Sequence, residues 1–249
     1  MGCGGFEEGS KRDRRRVEEG AILGRCGERV MAVVEKPTGQ KSAGLTLRAR
    51  WLLVAMTWQH TEQKKNGGKC PYHISVVMSD RKDAFALERA KKAGIPTELV
   101  SSYSILGADR AKAASRDEKR FAISERVLEN CQKYNVQAIV LAGWLTVLGG
   151  KIIEEYSGKI VNLHPALLPK FGGEGMWGHH VHEAVLASGE KESGCTVHLV
   201  DSGCDTGRIL IQKKVPVMPD DTPETLYARI APQEHKAIVE GVCLLSESL

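Results

Sequence analysis

Ile160-Val161-Asn162-Leu163-His164-Pro165-Ala166-Leu167-Leu168-Pro169 is an apolar, strand-like run that carries two polar residues and ends between two prolines. In extended backbone, side chains two apart share a side, so Asn162 and His164 face one volume. Pro165 and Pro169 stop the strand and stiffen the loop beyond it. A donor amide beside a titratable imidazole at a strand's carboxyl end suits carbonyl chemistry. The amide holds an oxyanion and the imidazole moves a proton. The bland alternative is a structural pair, because short motifs such as Asn-x-His are common.

Working outward, residues 138–141 read as a buried strand, too apolar to be one-sided, and residues 159–163 as the next. Strands are also expected over 73–78, 98–100, 195–200 and 208–217. Helices are expected over 83–93, 119–134, 151–156 and 181–188, and from Thr222 past Gln233, where Pro232 should kink or interrupt the last one. Strands alternating with helices predict an α/β fold: a mostly parallel, doubly wound sheet with helices on both faces. Ligands of such sheets sit at the carboxyl ends of the strands. Asn162, His164 and Leu141-Ala142-Gly143 all fall there. Residues 1–50 show no sustained period and read as a poorly ordered leader; residues 51–249 form the α/β domain.

A second polar stretch, Cys195-Thr196-Val197-His198-Leu199-Val200-Asp201-Ser202-Gly203-Cys204-Asp205-Thr206-Gly207, alternates like a strand and ends in an acidic, turn-rich loop. If that strand lies beside the Asn162 strand, Asp205 approaches His164, favours the imidazolium and raises the histidine pKa. The alternative for Asp205 is an Asx-type turn before Gly207.

Together these residues resemble the formyltransferases that use 10-formyltetrahydrofolate. Residues 79–90, Ala93-Gly94-Ile95, Ile139-Val140-Leu141-Ala142-Gly143-Trp144 and Gln233-Glu234-His235 extend the resemblance, which runs from about residue 70 to 242. Within the family the chain is most similar to the branch that formylates glycinamide ribonucleotide in de novo purine biosynthesis. The resemblance implies a formyltransferase-like fold and 10-formyltetrahydrofolate as cosubstrate; the chemistry requires no metal, a monomer or homodimer is expected, and the scattered cysteines point to a cytoplasmic protein. The resemblance also implies that Asn162 binds the formyl oxygen, that His164 donates the proton, and that Asp205 raises the histidine pKa and relays protons. Glu234 would hold the amine end of the acceptor. Leu141, Trp144, Leu145, Val147 and Leu148 would build part of the folate pocket, with Arg120 nearby and Val200, Asp201 and Asp205 on the loop against the pterin. Thr146 stands where relatives often carry an arginine. Rival readings are a formyltetrahydrofolate hydrolase, a formyltransferase for initiator tRNA, and a non-catalytic folate-binding protein.

The chain departs from the family near its start. Relatives have a first strand followed by a glycine-rich loop that opens a helix and holds the substrate phosphate on backbone amides. Here Trp51-Leu52-Leu53-Val54-Ala55-Met56 is a candidate strand, but Thr57-Trp58-Gln59-His60-Thr61-Glu62-Gln63 has no glycine. A helix N-terminus near Thr57 is a weak substitute. Without such a strand the sheet would lack its centre and leave edges unpaired. The loop over residues 171–182 is long and glycine-rich. His182 is expected to begin a helix, with His179 and His180 in the loop rather than in a metal site.

Composition agrees with an enzyme of small molecules. The formal net charge of +4 over 249 residues implies no nucleic-acid partner. Lys11-Arg12-Asp13-Arg14-Arg15-Arg16 reads as a solvated run. No apolar run is long enough for a membrane span, and residues 1–6 do not complete a myristoylation pattern. The seven cysteines include no Cys-x-x-Cys and read as reduced thiols.

Overall fold

The computed structural model describes residues 25–26, 29–30, 52–58 and 72–247. In chain order the first elements are β1 (Arg25–Cys26), β2 (Arg29–Val30), β3 (Leu52–Trp58), β4 (Tyr72–Ser79), α1 (Phe85–Lys92) and β5 (Thr97–Leu99). Then come α2 (Ser102–Leu106), α3 (Ala108–Ala113), α4 (Arg116–Lys133), β6 (Ala138–Ala142), α5 (Lys151–Glu155) and β7 (Ile160–His164). The last are α6 (His179–Ala187), β8 (Glu192–Leu199), β9 (Ile209–Pro216) and α7 (Pro223–Glu247). Strands β1 and β2 pair with each other alone; the other seven form one sheet in the order β5-β4-β3-β6-β7-β8-β9. Most of residues 1–50, read above as a leader, lie outside the described residues.

Both faces of the sheet are covered, as expected. Successive side chains of a strand point to opposite faces, and the buried residues divide that way. Val76, Met78, Ile139, Leu141 and Ile160 pack with Ile123, Val127 and Leu128 of α4 and Ile152 of α5. Val77, Ala138, Val140 and Val161 pack with Leu87 of α1, Val185 of α6 and Leu226, Ile230 and Ile238 of α7. This two-sided burial explains why the strand sequences are near-continuous apolar runs. Helix α7 lies close on β8: a Cβ at Gly241 would run into the Val197 side chain.

The sheet is mixed rather than mostly parallel. Only β4–β5 and β6–β7 are parallel; β3–β4, β3–β6, β7–β8 and β8–β9 are antiparallel. Two causes account for the difference. Strands β8 and β9 are joined by a loop too short for a crossover, which forces antiparallel pairing. Strand β3 fills the centre of the sheet, so no edge is left open there, but it runs against both neighbours. Leu52 stands opposite Ala142 and Met56 opposite Ala138, while Thr57 pairs with His73. Thr57 therefore lies at the sheet end away from Asn162. The expected helix N-terminus at Thr57 is absent, because Thr57 is itself a strand residue. The rest of that candidate anion site, residues 59–66, lies outside the described residues.

Helix ends follow local chemistry. Ser115 caps α4 in a reciprocal box with Glu118, which starts the helix at Arg116 rather than Lys119. A similar box between Ser101 and Ser104 opens α2; α2 and α3 are absent from the sequence reading. Helix α7 continues through Pro232, because its buried apolar residues on both sides of the proline hold it to the sheet. His179 and His180 belong to the first turn of α6 rather than to the loop. Cys131, Cys195 and Cys204 are free, whereas Cys243 is disulfide-bonded, which corrects the expectation of reduced thiols at that position.

Candidate active site

Strand pairing sets the site. Strands β7 and β8 align Asn162 with His198 and His164 with Thr196. Thr196 Oγ1 donates to the Ala166 carbonyl at 2.6 Å and accepts from the Leu168 amide at 3.1 Å. Gln212 of β9 donates to the Leu168 carbonyl at 2.8 Å. The proline-bracketed loop is thereby pinned back on the sheet, and His164 is held just before it.

Asp205 reaches this pair from the loop after β8. The loop is kept in shape by Asp201, whose Oδ1 accepts from Gly203 N at 3.0 Å and Thr206 Oγ1 at 2.6 Å. Asp205 itself sits in the left-handed region at φ 57°, where aspartate is one of the few tolerated residues. Gly207 then passes so close to the Leu199 carbonyl that a Cβ would overlap it.

Four polar side chains meet here. Asp205 Oδ2 lies 3.5 Å from His164 Nδ1 and accepts from Gly173 N at 3.0 Å. Asp205 Oδ1 lies 3.4 Å from His198 Nε2 and 3.5 Å from Asn162 Nδ2. Asn162 Nδ2 is 3.1 Å from His198 Nε2. His164 Nε2 is 2.7 Å from the Phe171 carbonyl. A carbonyl only accepts, so Nε2 carries a hydrogen, and the nitrogen left for proton transfer is Nδ1, which faces Asp205. His164 and His198 are almost fully buried.

The electrostatics correct one expectation. Burial is the largest influence on His164 and pulls its pKa below the usual value; Asp205 and the Phe171 carbonyl push upward but do not overcome it. Burial pushes Asp205 up, but the His198 hydrogen bond and the charge of His164 outweigh it, so its carboxyl titrates below the usual range. Asp205 thus raises the His164 pKa relative to a bare buried imidazole, without bringing it above that of a histidine in water.

These groups line one cleft of about 1130 Å³ at the carboxyl ends of β6 and β7. Every catalytic and binding residue that the resemblance implied lines it: Asn162, His164 and Asp205, the wall of Leu141, Trp144, Leu145, Thr146, Val147 and Leu148, and Arg120, Val200, Asp201 and Glu234. Trp144 Nε1 and Arg120 Nε are buried in this wall without a hydrogen-bond partner. Such orphaned donors fit a polar, flat ligand whose acceptors satisfy them. Arg120 also donates to the Leu148 carbonyl at 3.3 Å. Glu234 keeps some solvent access along the cleft, but its carboxyl end is enclosed, and burial pushes it up to about 7.

Five further residues join the site in three dimensions. His198 bridges Asn162 and Asp205. The Gly173 amide and Phe171 carbonyl come from the glycine-rich loop, and no side-chain signal marks them. Asp80, at the end of β4, lines the cleft with Oδ1 unpartnered and is raised by burial. His182 is buried beside Tyr227, ring centroids 5.6 Å apart, and burial lowers it to about 4. His198 was the readable one: it stands four residues before Ser202 in an alternating strand, on the side that faces Asn162.

Comparison with known proteins places this arrangement. The family model described as formyl transferase matches residues 54–242. The chain belongs to the formyl transferase family. Its place within that family is among the phosphoribosylglycinamide formyltransferases. It is 34% identical to that enzyme from Escherichia coli (strain K12) over 162 residues, which is 65% of this chain and 68% of the relative. It is 36% identical to the chloroplastic enzyme of Vigna unguiculata over 188 residues, 76% of this chain. Its fold superposes on a crystal structure of glycinamide ribonucleotide transformylase 1 from Symbiobacterium toebii with a TM-score of 0.60, at 35% identity, covering 70% of this chain and 74% of that one. The chain spans 56% of the length of the Vigna relative and 12% of a trifunctional purine biosynthetic protein of Drosophila melanogaster. The relatives from Vigna unguiculata and Arabidopsis thaliana are chloroplastic, which overturns the expectation of a cytoplasmic protein. Among the described residues no helix is long and apolar enough to cross a membrane.

Proposed function

We propose that this chain transfers the formyl group of 10-formyltetrahydrofolate to the amine of glycinamide ribonucleotide, the formylation step of purine biosynthesis. The observation that carries the reading is the convergence of Asn162, His164, His198 and Asp205 within 3.5 Å of one another along the chain of contacts. They do so at the end of a cleft whose wall holds unsatisfied donors.

The chemistry follows from those groups. Attack of a neutral amine on the formyl carbon puts negative charge on the formyl oxygen. An Asn162 N–H, fixed before the charge develops, stabilises it. The nitrogen that attacks must lose a proton and the nitrogen that leaves must gain one. His164 Nδ1 is the exchangeable site: Nε2 is committed to Phe171, and Asp205 stabilises the proton whenever Nδ1 holds it. Burial favours the neutral ring before the reaction, so His164 has Nδ1 open to a proton and gives that proton up readily. Glu234, enclosed and near neutrality, holds the amine end of the acceptor. Trp144, Arg120 and the 141–148 segment hold the cosubstrate.

The test is formyl transfer from 10-formyltetrahydrofolate to glycinamide ribonucleotide, with Asp205→Asn as control. Turnover that the control loses supports the reading. Release of formate without acceptor points to the hydrolase instead. Folate binding with neither reaction points to a non-catalytic binding protein.

A further inference from the structure

We infer that the N-terminus of α6 and the ring of His182 together form an anion site that takes the phosphate of the acceptor. The inference rests on the formyl-transfer reading above. Helix α6 runs nine residues, from His179 to Ala187. The first N–H groups of a helix have no partner inside it and make its positive end. Here the N-cap is Gly178, no side chain caps the helix, and its first turn carries no acidic residue. Gly178 and His179 line the cleft, so this end of the helix opens into it.

His182 is the second, independent observation. It lines the same cleft, is 2% exposed, and its enclosed Nδ1 has no hydrogen-bond partner. It stands three residues after His179 and so shares its helix face. Its Cα–Cβ bond tilts back toward the helix start, which sets the ring beside the first-turn amides. Tyr227 backs the ring at 5.6 Å between centroids. Orphaned buried N–H groups are rarer than orphaned acceptors, so the sealed Nδ1 is bare and Nε2 carries the hydrogen. Burial, with His179 and His164 nearby, holds the ring neutral at pH 7. His182 is thus a neutral donor next to a helix N-terminus.

The place suits the far end of the acceptor. Glu234 stands two turns beyond Tyr227 on α7, about 10 Å along the axis, and lines the cleft as well. The acceptor carries its amine and its phosphate at opposite ends, so Glu234 can hold the first while α6 holds the second. Glu183 and Glu224 are the neighbouring carboxylates; they lie 3.5 and 3.6 Å from His179 Nε2, held at that ring.

Two measurements on the full chain test the site. In ¹⁵N–¹H correlation spectra at neutral pH, inorganic phosphate should saturably shift the backbone amides of His179, His180 and Val181 and the ring signals of His182. Acetate at the same concentration should not. No saturable shift there, or equal saturation by acetate, overturns the inference, and neither result needs turnover to read. The second measurement compares glycinamide ribonucleotide with glycinamide riboside. The wild-type chain should favour the ribonucleotide by about fivefold in kcat/KM, the strength of one helix N-terminus. His182→Phe keeps a ring against Tyr227 without a donor and should halve that preference, about the worth of one hydrogen bond. His179→Asp suits a helix start but sets a carboxylate in the anion's seat, and should abolish the preference. A preference unchanged in both variants overturns the inference. A chain that transfers formyl without the phosphate shifts sinks the anion site alone; one that shows the shifts without transfer keeps the anion site and sinks the formyl-transfer reading.

Discussion

Strands β7 and β3 lie on either side of β6 and contribute opposite things to the cleft. Strand β7 runs parallel to β6 and delivers Asn162 and His164 at its carboxyl end. Strand β3 runs the other way, with Leu52 at the cleft end and Thr57 at the far end. A strand of the right composition in the right slot has thus kept the sheet whole, yet its carboxyl end points away from Asn162 and His164. Filling a sheet needs only burial and ladder hydrogen bonds, which either direction satisfies. Placing a loop needs the direction as well.

The comparison can be broken most sharply at β7 and its partners. Asp205→Asn should lower kcat by about 10²–10⁴-fold, the range of general acid–base contributions. It should also lower the His164 pKa further, because the carboxylate is a group that raises it; titrating the His164 ring protons by NMR reads this. Asn162→Ala should cost about 10²–10³-fold in kcat with folate binding retained. If either variant kept wild-type turnover, the carboxyl end of β7 would not be the reaction centre.

On the β3 side the expected effect is smaller. Glycinamide riboside, the acceptor without its phosphate, should lose less than about tenfold in kcat/KM, because Thr57 is a strand residue at the end of the sheet away from Asn162 and opens no helix there. A loss beyond about 10³-fold would show that other groups bind the phosphate and that the direction of β3 is immaterial.

The last prediction concerns Glu234, with a carboxyl pushed up to about 7 by burial. Between the ordinary glutamate value and 7, the folded chain holds a proton that the unfolded chain has released. That contribution to stability is complete below the unfolded value and is lost as pH rises through 7. Glu234→Gln should therefore raise Tm relative to wild type by more at pH 8 than at pH 5, by a few degrees at most. A Tm difference flat across that range would mean that the carboxyl is solvated.

Most of the carboxyl half of the domain was legible in sequence. Apolar runs at 138–142 and 160–163 have a length and composition that only buried strands satisfy, and Asn162 and His164 are two apart on one of them. What stayed hidden has physical causes. The direction of β3 leaves no mark on a two-residue period. Helices α2 and α3 are too short for a helical period, although the Ser101 and Ser115 caps were readable. The lowered pKa of His164 was missed because burial of an imidazole depends on what packs over it, and the packing comes from residues far along the chain. The Gly173 amide and Phe171 carbonyl are backbone groups, which sequence does not distinguish from any others.

The bond from Gly173 N to Asp205 Oδ2 ties the glycine-rich loop to the proposed proton relay. For protein engineering this makes the two a single unit of inheritance. A library that diversifies residues 172–178 to admit a new acceptor also shifts Asp205, since a new loop shape lengthens or removes its hydrogen bond from Gly173. Selections for altered acceptor choice should therefore recover second-site changes around Asp205, and grafts that carry the loop and the 200–207 segment together should outperform grafts of the loop alone.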